Sequence, residues 1–252
     1  MKTFIQSYPE YQKLSGNVNK HVTILSELSK INSDRQMYPV SEAEQEISTN
    51  NDHNVAVKSL SALLANSQVR DEEKLKLLML YALKYETNAS NQLDRLLGVL
   101  QQSSGVSQAE ASGLIKTLLR YGGDQVRSGD LFGNKSWLAK AKNTLKKGMQ
   151  EATNVYTQHK PYLTEQLTQL VRGKLSDLDY PAMGGAALRE TPSDIIIFIV
   201  GGATYEEALA LHEFKEAPEF ANVRVVLGGT TIHNSQSFLR ELRQLRDTTL
   251  TR

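Results

Sequence analysis

The sequence predicts a mainly α-helical chain with a C-terminal α/β element, in which a helical domain is followed by β-α-β-α. Three observations carry this. Apolar residues recur at steps of three and four through the first two thirds, the period of helices packed on one face. One stretch, Leu75 to Leu83, is apolar on nearly every side. Over roughly the last 60 residues the pattern changes to short β-branched runs alternating with helical ones. The division is expected near residue 190, with 1–190 helical and 191–252 the α/β part.

The first helix carries Tyr11, Leu14, Val18, Val22, Leu25 and Leu28 along a narrow apolar seam. Pro9 either occupies its first turn, where a missing N–H is harmless, or kinks a helix that begins earlier. Asn32-Ser33-Asp34 is a turn-forming cluster that closes the seam. A short helix is expected from Ser41, with Glu44 three residues on as its capping-box partner. Further helical patterns are Val57/Leu60/Leu64, Leu93/Leu96/Leu97/Leu100 and Leu114/Ile115/Leu118/Leu119. Between the first two lies LKLLMLYAL, interrupted only by Lys76, which belongs at the centre of a bundle. Asp71, Glu72 and Glu73 precede it and suit the positive end of its dipole.

DIIIFIVGG (Asp194 to Gly202) and VRVVLGGT (Val223 to Thr230) read as strands, each ending in a glycine pair. Helical patterns follow at Tyr205 to Phe214 and Ser235 to Leu245. The Gly- and Ala-rich region from Pro181 to Glu190, with Pro192, is the linker. Parallel strands with near-continuous apolar runs are normally buried on both faces of a larger sheet, and two strands are too few to make one. The missing strands are therefore expected from elsewhere, either a partner or an absent upstream segment, with a chain truncated relative to its parent the favoured reading.

Composition narrows the chemistry. The 29 basic and 28 acidic residues nearly cancel, which removes any global electrostatic argument for nucleic acid. With no cysteine, disulfides, thiolate nucleophiles and Cys-ligated zinc are excluded, and a reducing compartment fits. The opening MKTFIQSYPEYQK lacks the apolar core of a signal peptide, and no run in the helical part approaches the ~20 residues of a membrane span.

Motifs for catalysis fall short. GDLFGNKS (Gly129 to Ser136) nears the P-loop pattern, but Asn134 stands where the final glycine belongs and no buried strand precedes it. Gly201-Gly202 and Gly228-Gly229 sit at strand ends where α/β proteins bind ligands, without the three spaced glycines of a dinucleotide fingerprint. Tight strand-to-helix turns account for them. His212-Glu213 begins a zincin motif that no second histidine completes, and His21, His53, His159 and His233 show no ligand spacing. Glu206-Glu207 lie early in a helix, where stabilising its start explains them. No catalytic residue, cofactor site or metal site is assigned.

From Asn134 to Lys147 there are five lysines and no acid. At helical spacing Trp137, Leu138, Ala141 and Leu145 share one face, and Lys140, Lys142, Lys146 and Lys147 the other. That arrangement suits an anionic membrane surface or an acidic partner, and equally a solvated face over a core-directed tryptophan.

Several stretches resemble the SM (Sec/Munc, syntaxin-binding) family, and within it the vacuolar-protein-sorting type. YPEYQKLSGNVNKHVTILSEL is similar to the long helix of the family's helical insert, and DEEKLKLLMLYALKYE to that domain's buried helix. IIIFIVGGATYEEALALHEF followed by VRVVLGGTTIHNSQSFLREL resembles the family's C-terminal end. The family's ENVYTQH stands here as TNVYTQH (Thr153 to His159). The resemblance implies a helical third domain and the returning half of a split second α/β domain, the earlier parts lying upstream. It implies binding of syntaxin-type SNAREs and assembling SNARE bundles, without catalysis, cofactor or obligate homo-oligomer. The implied location is the cytoplasmic side of Golgi and endosomal membranes, held through partners. It also implies that Pro9, Tyr11, Leu14, Val18 and Val22 belong to a hairpin over the SNARE groove, with Pro9 influencing whether that hairpin is bent or extended. Two other readings stay open: a nucleotide-binding α/β enzyme using the glycine turns, and a helical scaffold lying on membranes.

Overall fold

The computed structural model describes residues 2–50, 52–121, 156, 158–183 and 192–250, with side chains from Lys13 to Thr248 apart from Glu219. Six helices come first: α1 (Lys2–Asp34), α2 (Met37–Thr49), α3 (His53–Ala65), α4 (Asp71–Tyr85), α5 (Leu93–Ser103) and α6 (Gln108–Arg120). Then come α7 (Tyr162–Val171), β1 (Asp194–Ile199), β2 (Ala203–Thr204), α8 (Tyr205–Glu216), a 3-10 turn (Pro218–Phe220), β3 (Arg224–Gly229), β4 (Ile232–His233) and α9 (Ser235–Leu250). The mainly helical class with a C-terminal α/β element is as the sequence indicates. Among the described residues, no helix is long and apolar enough to cross a membrane.

Helix α4 is the post of the first core. Leu75, Leu77, Leu78 and Tyr81 are wholly buried, and α2, α3, α5 and α6 all pack on it. Its acidic first turn, Asp71 to Glu73, faces the positive end of the helix dipole. Lys74 is also buried, and its ammonium donates to the Ser103 carbonyl at 2.8 Å, meeting the negative end of α5. Burial lowers the Lys74 pKa, with Asp71 opposing.

Two local readings need correction, and the place of Pro9 is decided between its two alternatives. Helix α1 runs through Asp34, so the turn falls at Arg35 and Gln36 rather than on Asn32-Ser33-Asp34. Gln36 makes it by adopting the left-handed conformation, φ 52°, and serves as N-cap of α2. Ser41 therefore lies inside α2 and caps nothing. Pro9 also lies inside a helix, seven residues beyond its start at Lys2, where it forfeits the N–H bond to Ile5.

β1 and β3 pair in parallel from Asp194↔Arg224 to Ile199↔Gly229. The two-residue strands β2 and β4 form a second parallel pair, Ala203↔Ile232 and Thr204↔His233, too short to leave a periodic signal. One face of β1 and β3 packs Ile195 and Val225 into a second core with Leu167 and Val171 of α7 and Leu211 and Phe214 of α8. Phe214 stacks on Phe220 at 4.1 Å between centroids. The other face leaves Ile196, Phe198, Val200 and Val226 exposed, an apolar surface where a parallel sheet is normally covered. The cores interlock: Leu239 and Leu242 of α9 belong to the first, and α7 to the second.

His159, on the segment leading into α7, is held below the usual histidine range by burial, with the Glu206 carboxylate partly opposing. The folded state thus favours the neutral ring, and below the unfolded value of about 6.5 the unfolded chain binds the extra proton. Acidification from about pH 7 to about 5.5 is predicted to lower the melting temperature more in the native chain than in His159→Gln. Equal losses in the two would count against this. For the first core, Leu78→Ala is predicted to cost about 3 kcal/mol in urea unfolding. Leu14→Ala, on the exposed part of α1, is expected to change stability by no more than about 0.5 kcal/mol.

Candidate functional site

α1 is a 33-residue helix, about 50 Å long at ~1.5 Å per residue, that packs chiefly on α2 at its C-terminal end. Its seam is open: Leu14 is 65% exposed, Val18 52% and Val22 55%. Leu25 and Leu28 continue the stripe toward the base, also exposed. The opposite face carries Asn19, Lys20, Thr23 and Glu27, so the apolar stripe backs onto a polar side and is itself exposed. Pro9 and Tyr11 lie in its first three turns, ahead of the described side chains.

A charged network holds the base of this arm. Arg35, in the turn, reaches Glu73 of α4 at 3.3 Å. Lys76 of α4 bridges Glu73 at 2.5 Å and Glu44 of α2 at 2.8 Å. Burial alone would lower the Lys76 pKa, but Glu44 and Glu73 outweigh it and hold the ammonium above the usual lysine range. Four groups from the turn, α2 and α4 thus fix the root of α1. Each partly exposed pair contributes about 1 kcal/mol or less, so the network orients the arm more than it stabilises the fold.

The carboxyl ends of the strands, the place for a ligand in an α/β enzyme, are built differently. A cleft of about 700 Å³ opens there between Met79, Leu80 and Leu83 of α4 and the turn Val200-Gly201. Its walls are mostly apolar, and Lys76 at its edge is already paired with two carboxylates. The N-terminus of α8 is closed by a capping box in which Thr204 and Glu207 satisfy each other's backbone N–H groups. A carboxylate therefore already occupies the place where a phosphate would bind. Gly201 and Gly202 have φ of 107° and 108°, and a Cβ on Gly202 would collide with His233. Gly228 and Gly229 end β3 itself, and a Cβ on Gly229 would stand 2.8 Å from the Ala203 nitrogen. Turn geometry or close approach explains Gly201, Gly202 and Gly229, while Gly228 lies within β3 with room for a Cβ.

Sequence spacing did not reveal one cluster. His233 is buried, with Nδ1 3.1 Å from Ser237 Oγ and Nε2 2.8 Å from Glu241 Oε2. Its order of groups resembles an acid–base relay, but the Ser237 hydroxyl accepts the Asn234 N–H and is spent on capping α9. His233 Nε2 also lies 3.0 Å from the Gly201 carbonyl, so the cluster ties the β1 turn to α9. No group of three or more metal-ligating side chains occurs among the described residues. Lys140, Lys142, Lys146 and Lys147, and the GDLFGNKS stretch, lie outside the described residues.

Comparison with known proteins places this geometry. The Sec1 family model matches residues 1–241. Vacuolar protein sorting-associated protein 45 of Rattus norvegicus is 46% identical over 242 residues, covering 96% of this chain and 42% of the relative. The solved structure of the SM protein Vps45 in complex with the Qa SNARE Tlg2 superposes with a TM-score of 0.76 at 39% identity, over 98% of this chain and 43% of that one. The Unc18–syntaxin 1 complex from Monosiga brevicollis shares the fold, with a TM-score of 0.63 at 17% identity over 97% of this chain and 42% of that one. The chain thus spans about two fifths of the length of the relatives it matches. Fold, family model and relatives agree: the chain belongs to the Sec1 family.

Proposed function

We propose that this chain is the partner-aligning part of a SNARE-binding scaffold that promotes vesicle fusion at Golgi and endosomal membranes, without catalysis. One observation carries the reading: an amphipathic arm, fixed at its root, that offers Leu14, Val18 and Val22 to solvent. An exposed stripe at helical spacing is what an amphipathic SNARE helix needs for docking side by side. Holding one such helix in place removes part of the ordering entropy that zippering must otherwise overcome. The complex of the relative Vps45 with the Qa SNARE Tlg2 supports a syntaxin-type partner. Attachment to the membrane through that partner follows from the same reading.

Residues 1–190 would then be the helical third-domain part and 191–252 the returning half of a split α/β domain. Exposed Ile196, Phe198, Val200 and Val226 support that division, since further layers of the parent would cover them. A second reading of the arm has its own support. The stripe continues through Leu25 and Leu28 to the base, as it would if another helix of the parent closed on its whole length.

One experiment separates the two. In the full-length parent, Val18→Asp and Val22→Asp are each predicted to slow syntaxin-dependent SNARE assembly about ten-fold while leaving the melting temperature unchanged. Normal assembly by folded variants would remove the arm from the mechanism. A large drop in melting temperature would favour internal closure.

A further inference from the structure

The family-like stretch TNVYTQH has no part in the arm, yet the structure gives Tyr156, Gln158 and His159 a specific place. Gln45 of α2 turns its side-chain carbonyl toward two consecutive backbone N–H groups. It accepts from Gln158 at 3.0 Å and from His159 at 2.7 Å, across more than a hundred residues of sequence. Two donors converging on one atom require an oxygen there, and a carbonyl oxygen has two lone pairs to receive them. One turn further along α2, buried Thr49 lies 3.1 Å from the Gln158 side-chain oxygen. At the other end of α2, the Tyr38 and Tyr156 rings meet with centroids 5.3 Å apart. The far side of the segment is tied to the α/β element. Lys160 reaches Glu213 of α8 at 3.3 Å, and buried Pro161 leads into α7.

We propose that Gln158 to Pro161, with Tyr156, is a latch between the two cores and that Gln45 is its positioning residue, setting α2, and so the root of the arm, against α7 and α8. α2 also carries Glu44 of the network that grips Arg35 through Glu73 and Lys76. A shift of α2 is thereby transmitted to the root of α1. The latch rests on contacts within this chain alone; only its service to the arm rests on the SNARE-scaffold reading.

The test needs no partner. The chain has no cysteine, so Glu42→Cys on α2 and His212→Cys on α8, both exposed, accept spin labels at those two positions only. Pulsed electron-spin distance measurement should give one narrow distribution with Gln45 present. Gln45→Leu keeps the bulk and removes the acceptor, leaving both N–H groups without their partner. Hydrogen exchange at the Gln158 and His159 amides should then quicken at least about ten-fold, with a broader distance distribution. Gln45→Glu retains an acceptor and should restore both readouts. Unchanged protection and an unchanged distribution in Gln45→Leu would overturn the latch. Should that variant fail to fold, Thr49→Val, which removes the hydroxyl set between the Gln45 backbone carbonyl and the Gln158 side chain, is expected to broaden the distribution in the same direction; no change would again overturn it. In the full-length parent, slower SNARE assembly by Gln45→Leu but not by Gln45→Glu is the result expected. Broadening with normal assembly would refute the coupling to the arm and leave the arm itself standing.

Discussion

The burial of most of α4 is the constraint on which the other helices depend. A helix with Leu75, Leu77, Leu78 and Tyr81 all removed from water must be surrounded, and α2, α3, α5 and α6 do this. Its polar groups are then forced to find partners near the boundary. Lys74 finds the end of α5, while Glu73 and Lys76 find the turn before α2 and α2 itself. The same helix that makes the core therefore carries the charged groups that aim the arm. Packing supplies the free energy, and electrostatics supply the direction.

The arm reverses that logic. Most soluble helices hide their apolar stripe, whereas α1 leaves Leu14, Val18 and Val22 in water along several turns. A surface of this kind costs solubility unless something covers it, and a helical partner of matching period is the cover its geometry fits. At the cleft by the strands Lys76 is already paired with Glu44 and Glu73, and the start of α8 is capped by Glu207, so neither is free for a phosphate.

Much of this was legible in the sequence because it depends on local pattern. The period of three and four along α1, the all-round apolar α4 and the β-branched runs of β1 and β3 each announce their element. Ile196 and Phe198, exposed on the outer face of β1, belong to the near-continuous apolar run typical of a strand covered on both faces. What stayed hidden is set by tertiary contact. Ser41 with Glu44 has the form of a capping box, but Gln36 ends α1 by taking a left-handed turn that glutamine rarely favours. The pairs β2 and β4 are two residues long, and the His233–Glu241 and Gln45–Gln158 contacts join groups whose spacing carries no motif. Pro9 shows both sides: its two possible places were visible, and only the start of α1 at Lys2 decides between them.

The central claim is that the open face of α1 touches a SNARE helix during assembly. Placing a photo-crosslinking amino acid at Val18 of the full-length parent, and mapping the adducts formed while a SNARE bundle assembles, tests this most directly. Adducts to the core-facing positions of a syntaxin-type helix are the predicted result. Adducts confined to the parent's own chain would contradict it.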